Sequence, residues 1–323
     1  MRRSDIRSIA SLFLALVICA GCSAFSLGRS SEPLTDFASA TSRFDGHSWS
    51  PDGHWLAAES ADDFITLFSA DGQLVNTLSL GCYLGSGLED IAWLPDGRLS
   101  CFVDKAPPQL GLFTLDQAGK VTKKTTIPVP INPHMVVLAI QWNPYTPWLA
   151  TIANSQVGTI HIPTLYISDL AGHLLFAPML LDADVLDWSH DGKTLALVQI
   201  NRDTGNGNIE LLHFQQTPAG TLTVTNTQQL VAGTASGENV EWSPSDRWLV
   251  CHHGTYESED YLFLLATDGS GKQVKLTSST TDGQLGFPSW SPDGKRLIVT
   301  RASDGALLSL DIAAVLKEKG VQP

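Results

Sequence analysis

The sequence is short of cysteine, of basic residues and of long apolar runs, and each shortage narrows what the protein can be. Its 323 residues include five cysteines, and 20 lysines and arginines stand against 33 aspartates and glutamates. Nucleic-acid binding depends on lysine and arginine contacts to phosphate, so this balance opposes a nucleic-acid partner. The apolar stretch at residues 9–18 is shorter than the ~20 residues that a membrane-spanning helix needs. We therefore expect neither a nucleic-acid partner nor a transmembrane helix.

The N-terminus has the pattern of an export signal. Three arginines, at positions 2, 3 and 7, precede the apolar stretch, and Cys19, Ala20, Gly21 and Cys22 follow it. Small residues before a cysteine resemble the lipobox of bacterial lipoproteins, in which that cysteine is freed by cleavage and lipidated. The pattern predicts a signal peptide at residues 1–21, a lipid on Cys22 and a flexible Ser-rich tether at residues 22–33. Ordinary cleavage nearby, without a lipid, is the alternative.

The predicted location follows from this signal. We expect a lipoprotein of the bacterial cell envelope that faces the periplasm or the outside and touches the membrane only through its lipid. Cleavage after residue 21 removes three arginines and one aspartate from the 20 basic and 33 acidic residues, which leaves a net charge of −15.

A repeated tryptophan motif determines the predicted fold. Six tryptophans are followed by some version of Ser-Pro-Asp-Gly: Trp49, Trp93, Trp142, Trp188, Trp242 and Trp290. A period of roughly 40 to 50 residues that holds several short strands is typical of a β-propeller, in which each repeat is one blade. Pro-Asp-Gly suits a tight turn, and strand-length apolar runs follow each turn. We predict an all-β, six-bladed propeller with four antiparallel strands per blade.

The ring is expected to close through the N-terminus. After Trp290 the sequence supplies three strands of the last blade but no fourth, whereas residues 34–37 form a spare strand before Trp49. An N-terminal strand that completes the last blade removes free sheet edges. The predicted propeller domain is residues 34–315, and residues 316–323 are predicted to be a C-terminal tail.

Three cysteines remain after cleavage at residue 21. An odd number in an exported protein argues against a full disulfide framework. Cys101 and Cys251 occupy the same strand position in opposite blades, so they cannot pair with each other. A bond between Cys82 and Cys101 is one alternative, and buried free thiols are the favoured interpretation.

The complete motifs at residues 49–53 and 290–294, with partial copies elsewhere, resemble the repeats of the TolB-like, WD40-like propeller family, known as PD40 repeats. The resemblance covers residues 34–311 and implies the propeller fold. These repeats occur in translocation proteins, in the propeller domains of peptidases and in many envelope proteins, so they do not select one function. The sequence has no Gly-x-Ser-x-Gly motif, and we expect no peptidase activity.

Four acidic residues stand at one position of the repeat, four residues before a motif tryptophan: Asp45, Glu89, Asp184 and Glu238. The inner strand of each blade lines the channel and starts at the face opposite the Pro-Asp-Gly turns, so these carboxylates are predicted at one channel mouth. Such a group favours a divalent cation such as calcium, or a basic partner segment. Hydrogen bonds to local backbone amides, or simple solvation, are the structural alternative.

A long loop in blade 5 opens on the same face. It contains His252, His253 and Glu257, which we treat as candidate partner-binding residues. With Glu259 and Asp260 they could form a metal cluster, but adjacent histidines of an extended chain point apart. A solvated loop is therefore the favoured interpretation.

Two functions remain open. The favoured hypothesis is a non-catalytic, lipid-anchored binding protein or interaction scaffold of the cell envelope, whose partner is a protein or peptide. The alternative is a metal-dependent propeller hydrolase, similar to lactonases, with a cation at the channel mouth. No catalytic residue and no certain cofactor can be assigned from the sequence.

Overall fold

The computed structural model describes residues 34–38, 43–60, 62, 64–83, 91–105, 107–157, 160–181, 183–200, 207–235, 239–253 and 260–321, without the side chains of residues 45, 105, 155–157, 160–162, 200 and 231–235. The predicted signal peptide, Cys22 and the tether lie outside these residues. Residues 33–323 form one compact unit.

The described strands form six four-stranded antiparallel sheets, which confirms the predicted six-bladed propeller. Blade 1 contains β2 (Phe44–Trp49), β3 (Trp55–Ser60), β4 (Ile65–Ser69) and β5 (Leu74–Leu78). Blade 2 contains β6 (Ile91–Trp93), β7 (Leu99–Lys105), β8 (Pro108–Leu115) and β9 (Val121–Pro128). Blade 3 contains β10 (Val136–Trp142), β11 (Leu149–Val157), β12 (Ile160–Ser168) and β13 (Leu174–Leu180).

The second half of the chain repeats this order. Blade 4 contains β14 (Ala183–Trp188), β15 (Thr194–Ile200), β16 (Gly207–Gln216) and β17 (Leu222–Ala235). Blade 5 contains β18 (Val240–Trp242), β19 (Trp248–His253), β20 (Tyr261–Ala266) and β21 (Gln273–Lys275). After a short helix α1 (Ser279–Asp282), blade 6 contains β22 (Leu285–Trp290), β23 (Arg296–Arg301), β24 (Leu307–Asp311) and the N-terminal β1 (Leu34–Asp36), and helix α2 (Ile312–Glu318) follows.

Strand β1 closes the ring as predicted. It pairs antiparallel with β24, with Leu34 opposite Leu310 and Asp36 opposite Leu308. The Phe37 N–H then donates to the Leu307 carbonyl at 3.0 Å. Phe37 packs edge-on against Trp49 of blade 1 at 5.9 Å between ring centroids, so this segment joins blade 6 to blade 1.

The motif turns are held by their serines. In blade 1 the Ser50 hydroxyl donates to Asp52 at 2.6 Å and accepts the Trp55 N–H at 2.9 Å. Ser189 and Ser291 make the same two kinds of bond in blades 4 and 6. The glycine of the motif has a positive φ, which is +69° at Gly53, a conformation that favours glycine. The sequence pattern therefore encodes a specific turn.

The core consists of six apolar clusters, one between each pair of neighbouring blades. Each cluster contains one motif tryptophan. Indole N–H groups also reach the preceding blade: Trp93 donates to the Ser48 carbonyl at 3.1 Å, and Trp242 donates to the Asp187 carbonyl at 3.2 Å. The tryptophans are packing residues, as their repeated spacing predicts.

Two features differ from the sequence-based expectation. Cys82 and Cys101 form a disulfide, with their Cα atoms 5.7 Å apart, so the preference for free thiols at these positions is wrong. The Tyr83 N–H donates to the Phe102 carbonyl, and this bond brings the segment entering blade 2 alongside β7. Cys251 is a buried free cysteine, as expected.

The second difference lies at the C-terminus, where the predicted boundary at residue 315 falls inside helix α2. Leu316, assigned to the tail, is 2% exposed and belongs to the cluster between blades 5 and 6. Asp311 accepts the Ala314 N–H and starts the helix, whose apolar residues then pack on the last blade. The ordered part of the domain thus extends past 315.

The two faces of the ring carry different connections. The turn face holds the motif turns and the turns that join the third and fourth strands. The mouth face holds the starts of the inner strands and the ends of the second strands. Asp184 at the start of β14 and His253 at the end of β19 lie on the mouth face.

Candidate functional site

The structure describes part of the predicted acidic group. Asp184 is half-buried, one residue into β14, at the mouth face. Glu89 and Glu238 lie outside the described residues, as does the side chain of Asp45. A carboxylate ring at the channel mouth therefore stays a prediction.

The blade 5 histidines separate, as expected for neighbours on a strand. His252 is buried, and its Nε2 lies 2.6 Å from an Asp260 oxygen. His253 instead stacks on Tyr261, with ring centroids 4.6 Å apart. Glu257 lies outside the described residues. The structure thus brings His252 and Asp260 together and leaves His253 on the opposite side of the strand.

Sequence analysis missed a second set of channel residues, one position before each motif tryptophan: Ser48, Ala92, Gln141, Asp187, Glu241 and Ser289. Two of them bind the next blade. Asp187 accepts the Trp242 N–H at 2.6 Å, and Glu241 accepts the Trp290 N–H at 3.0 and 3.1 Å. These carboxylates link blade 4 to blade 5 and blade 5 to blade 6.

Asp187 is unusual because it is an acid that is only 6% exposed. Burial raises the pKa of its carboxyl to about 7, although the N–H groups of Trp242 and Trp188 and the Gln141 side chain act in the opposite direction. Near neutral pH this carboxyl therefore exchanges a proton while it holds two blades together.

A cavity of roughly 30 Å³ lies along the channel wall. It is bordered mainly by blades 1, 5 and 6, with one residue each from blades 2 and 3. Its wall is made of Gly46, His47, Ser48, Glu59, Ile91, Gln141, Asn239, Glu241, Phe287, Pro288 and Ser289. Most of these side chains are polar, and two are carboxylic acids.

His47 in this wall is neutral at physiological pH. Burial lowers its pKa to about 4, and the bond to the Ile298 carbonyl, with Nε2 at 3.2 Å, opposes that shift only partly. The Thr300 hydroxyl lies 3.4 Å from Nδ1. His47 therefore acts as a hydrogen-bonding link between blades 1 and 6.

Phe287 has an uncommon backbone conformation. Its φ is +48°, in the left-handed region, and it precedes Pro288, which further restricts its backbone. The pairing of β22 with β23 shifts register between Gly286 and Ser289, and the Phe287 N–H donates to Asn239 at 3.1 Å. This bulge places the half-buried Phe287 in the cavity wall.

The described residues contain neither a metal-ligand cluster nor a membrane-spanning helix. Among the described residues, no group of three or more His, Cys, Asp or Glu side chains is arranged to hold a metal ion. Neither described helix has the length and apolar character needed to cross a bilayer. Within this part of the chain, the channel offers hydrogen-bond acceptors and carboxylates around a small cavity.

Comparisons with known proteins agree on the fold. No protein-family model matches the chain, and no curated protein matches it. A β-propeller domain from Myceliophteria thermophila has a TM-score of 0.58 and 11% identity, covering 84% of this chain and 97% of that one. A gluconolactonase from Xanthomonas campestris has a TM-score of 0.57 and 13% identity, covering 86% and 89%.

A putative TolB from Agrobacterium tumefaciens has a TM-score of 0.52 and 18% identity, covering 75% of this chain and 81% of that one. At such identities the shared property is the fold, and the three proteins differ in function. The chain is therefore similar to TolB and WD40-type propellers in architecture.

Proposed function

We propose that the protein is a non-catalytic binding propeller of the bacterial cell envelope, anchored through a lipid on Cys22, that captures a protein or peptide with a basic surface on its mouth face. The observation that carries this proposal is the excess of acidic side chains on the mouth face.

Acidic side chains dominate the described part of the mouth face: Asp36, Asp62, Asp104, Asp184, Asp260, Asp282 and Asp304, against Arg43, Lys275 and Arg301. Arg301 is itself paired with Asp304, with an N–O distance of 2.7 Å. A surface of one sign attracts a partner of the opposite sign and speeds its association.

On the turn face several aspartates have basic neighbours within the same turn. Asp96 pairs with Arg98 at 2.7 Å, Asp191 with Lys193 at 3.7 Å, and Asp293 with Lys295 at 3.4 Å. On the mouth face seven described aspartates stand against three basic side chains. This acidic excess favours the mouth face as the binding surface for a basic partner.

Two carboxylates of the channel have a structural role and not a catalytic one. Asp187 and Glu241 each accept a backbone N–H from the following blade, so both act in holding the ring together. The Cys82–Cys101 disulfide supports the proposed export, since such bonds form mainly in oxidising compartments outside the cytoplasm.

The second candidate is the metal-dependent hydrolase. The half-buried Asp184, described at a predicted ligand position of the channel mouth, is the observation in its favour. Stabilisation by calcium separates this candidate from the binding protein, because only a cation site requires it.

Site-specific photo-crosslinking in cells tests the proposal. A photoreactive residue is placed at Asp62 or Phe64, both exposed on the mouth face, and at Asp116 or Asp268 on the turn face as matched controls. We expect one discrete adduct from the mouth-face positions, weakened when Asp62 is replaced by lysine beside Phe64. Adducts from the turn face alone, or equally from both faces, would contradict the proposal.

A further inference from the structure

The cavity in the channel wall exists because small residues occupy the inner strands on one side. Blades 1 and 6 contribute Ser48 and Ser289 where blades 3, 4 and 5 have Gln141, Asp187 and Glu241. These two serines line the cavity, and so does Gly46. Blade 2 has the small Ala92 at this position, so the small residues lie together on the side of the ring formed by blades 6, 1 and 2.

Gly46 lets an acid from the second strand reach the channel. A Cβ atom at Gly46 would lie 3.6 Å from Cδ of Glu59 and within 3.8 Å of both its carboxylate oxygens. Glu59 is 7% exposed, and its carboxyl group rests over this glycine in the cavity wall. A larger residue at position 46 would occupy the space next to that carboxylate.

The wall contributed by blades 3 and 5 is also rich in acceptors. Glu241, Asn239 and Gln141 line it. A carboxylate has about four acceptor positions, so Glu241 can accept from more than one donor beside the Trp290 N–H. The cavity therefore has carboxylates in walls formed by different blades.

The remaining wall residues add no positive charge. The cavity lining described here contains neither lysine nor arginine, and its one histidine, His47, is neutral. Ile91, Phe287 and Pro288 supply apolar surface, and an aromatic ring attracts cations as well as methylene groups. The wall thus combines negative charge, hydrogen-bond acceptors and an apolar side.

We propose that this cavity binds a primary ammonium group carried on a short aliphatic chain, such as a lysine side chain of the basic partner. The ammonium has three donors and no acceptor, which suits the Glu59 and Glu241 carboxylates and the neighbouring amide oxygens. The aliphatic chain lies against Phe287 and Ile91. This inference rests on the proposed function, because it names the group by which the partner is anchored.

Calorimetry on the full-length protein in detergent tests the site with n-butylammonium as the probe. 1-Butanol serves as the uncharged analogue, and butylguanidinium serves as the planar cation, all at constant ionic strength. We expect n-butylammonium to bind with a dissociation constant of about 1 mM and at least about tenfold tighter than either analogue.

The variants Glu59→Gln and Glu241→Gln should each weaken binding about tenfold, since they keep the shape and an acceptor oxygen but remove the charge. Ser48→Leu should abolish binding by filling the cavity while leaving both carboxylates in place. Asp268→Asn, which removes an exposed turn-face charge outside the cavity, should leave the affinity unchanged. Unfolding midpoints show that each variant is folded.

Binding of 1-butanol or butylguanidinium as tight as that of n-butylammonium would overturn the assignment, and so would unchanged affinity in both Gln variants that fold. Failure here is distinct from failure of the proposed function. A mouth-face crosslink without ammonium binding removes only this inference, whereas ammonium binding without a mouth-face crosslink removes the protein partner and leaves a small-amine site.

Discussion

Asp246 of blade 5 accepts the His190 N–H of blade 4 at 2.6 Å, and both residues depart from the motif. Where His190 stands, the other blades have a proline, which has no N–H. Where Asp246 stands, blades 1, 2, 4 and 6 have a glycine, and Asp246 keeps a glycine-like φ of +56°.

The two departures compensate each other. In blades 1 and 6 the motif glycine approaches the proline of the preceding blade, with a Cβ at Gly53 calculated 3.5 Å from Pro292. In blade 5 the Asp246 carboxylate fills that place and also accepts the Asp191 N–H at 2.9 Å. Asp246 thus provides an acceptor for the backbone N–H of His190, which a proline at that position would lack.

The first prediction is a double-mutant cycle on this pair. Asp246→Gly should lower the free energy of unfolding by about 1–2 kcal/mol, because it leaves the partly buried His190 N–H and the exposed Asp191 N–H without this acceptor. Combined with His190→Pro, which removes one of those N–H groups, it should cost at least about 1 kcal/mol less than the sum of the single changes. Urea unfolding measures each value. Strict additivity would show that the two residues act independently.

The second prediction concerns Asp187 and pH. Its folded pKa, about 7, lies above the ordinary value of 3.8, so the folded state binds the proton more tightly. Its contribution to stability is complete below about pH 4 and is lost as pH rises through 7. The Asp187→Asn variant keeps an acceptor for Trp242 but cannot ionise. Its free energy of unfolding relative to the natural protein should rise between pH 4 and 7, by at most about 4 kcal/mol.

His47 changes stability in the opposite direction over part of this range. Its folded pKa of about 4 is below the ordinary 6.5, so its contribution is complete above pH 6.5 and is lost on acidification towards 4. The comparison of Asp187→Asn with the natural protein at each pH cancels this effect. A constant difference across the range would contradict a raised Asp187 pKa.

The third prediction concerns the disulfide. Cys82 and Cys101 are 19 residues apart, and a loop of that size contributes about 3 kcal/mol in the chain-entropy model. The Cys82→Ala, Cys101→Ala double variant should lose about that much free energy of unfolding and become insensitive to reductant. Cys251 is the internal control: burial raises the pKa of its thiol, so it should not react with thiol reagents until the protein unfolds.

The fourth prediction concerns ring closure. Phe37 is 8% exposed and packs on Trp49 and Phe68 across the junction of the last and first blades. Phe37→Ala should cost about 3 kcal/mol, whereas Thr35→Ala, an exposed position on the same strand, should cost less than about 0.5 kcal/mol. Denaturant unfolding of both variants checks this. Equal effects would mean that the Phe37 side chain is not needed to hold the closing strand in place.

The fifth prediction concerns the anchor. Cys22→Ser should move the protein from the membrane fraction to the soluble fraction, and Cys19→Ser should not, because only the former removes the lipid-bearing thiol. Fractionation after metabolic labelling with a fatty acid measures both. If the natural protein were soluble and unlabelled, the predicted lipid on Cys22 would be wrong, while the predicted export signal would be unaffected.

The sequence was sufficient for the fold because the turn chemistry is local. The turn is specified by the motif residues themselves, which in blade 1 are Ser50, Asp52 and Gly53. The motif tryptophan recurs once per blade, so its copies give the number of blades. The fourth strand missing from the last blade then predicts the closing strand. The disulfide could not be derived, because it depends on the path by which Tyr83 leaves blade 1 and pairs with Phe102. That path is a tertiary property.

The site was only partly predictable for a similar reason. The predicted acids stand four residues before four of the motif tryptophans, where the inner strand begins. The residues that link neighbouring blades, Asp187 and Glu241, stand one position before the tryptophan. The sequence shows two acids at the same position of the repeat. Their contacts with Trp242 and Trp290, however, depend on how adjacent blades are rotated relative to each other. The motif does not predict the bulge at Phe287, which shapes the cavity.

Thermal unfolding of the full-length protein in chelator and then in excess calcium tests most directly whether it is a binding protein or a metal-dependent enzyme. A binding propeller without a cation site should unfold at the same temperature in both, apart from the shift given by an equal ionic strength of sodium chloride. Calcium at a hundred times its dissociation constant would add about 2.7 kcal/mol, or several degrees. A saturable shift of that size, lost in Asp184→Asn and Glu89→Gln, would establish a cation site at the channel mouth and show that the non-catalytic binding function is wrong.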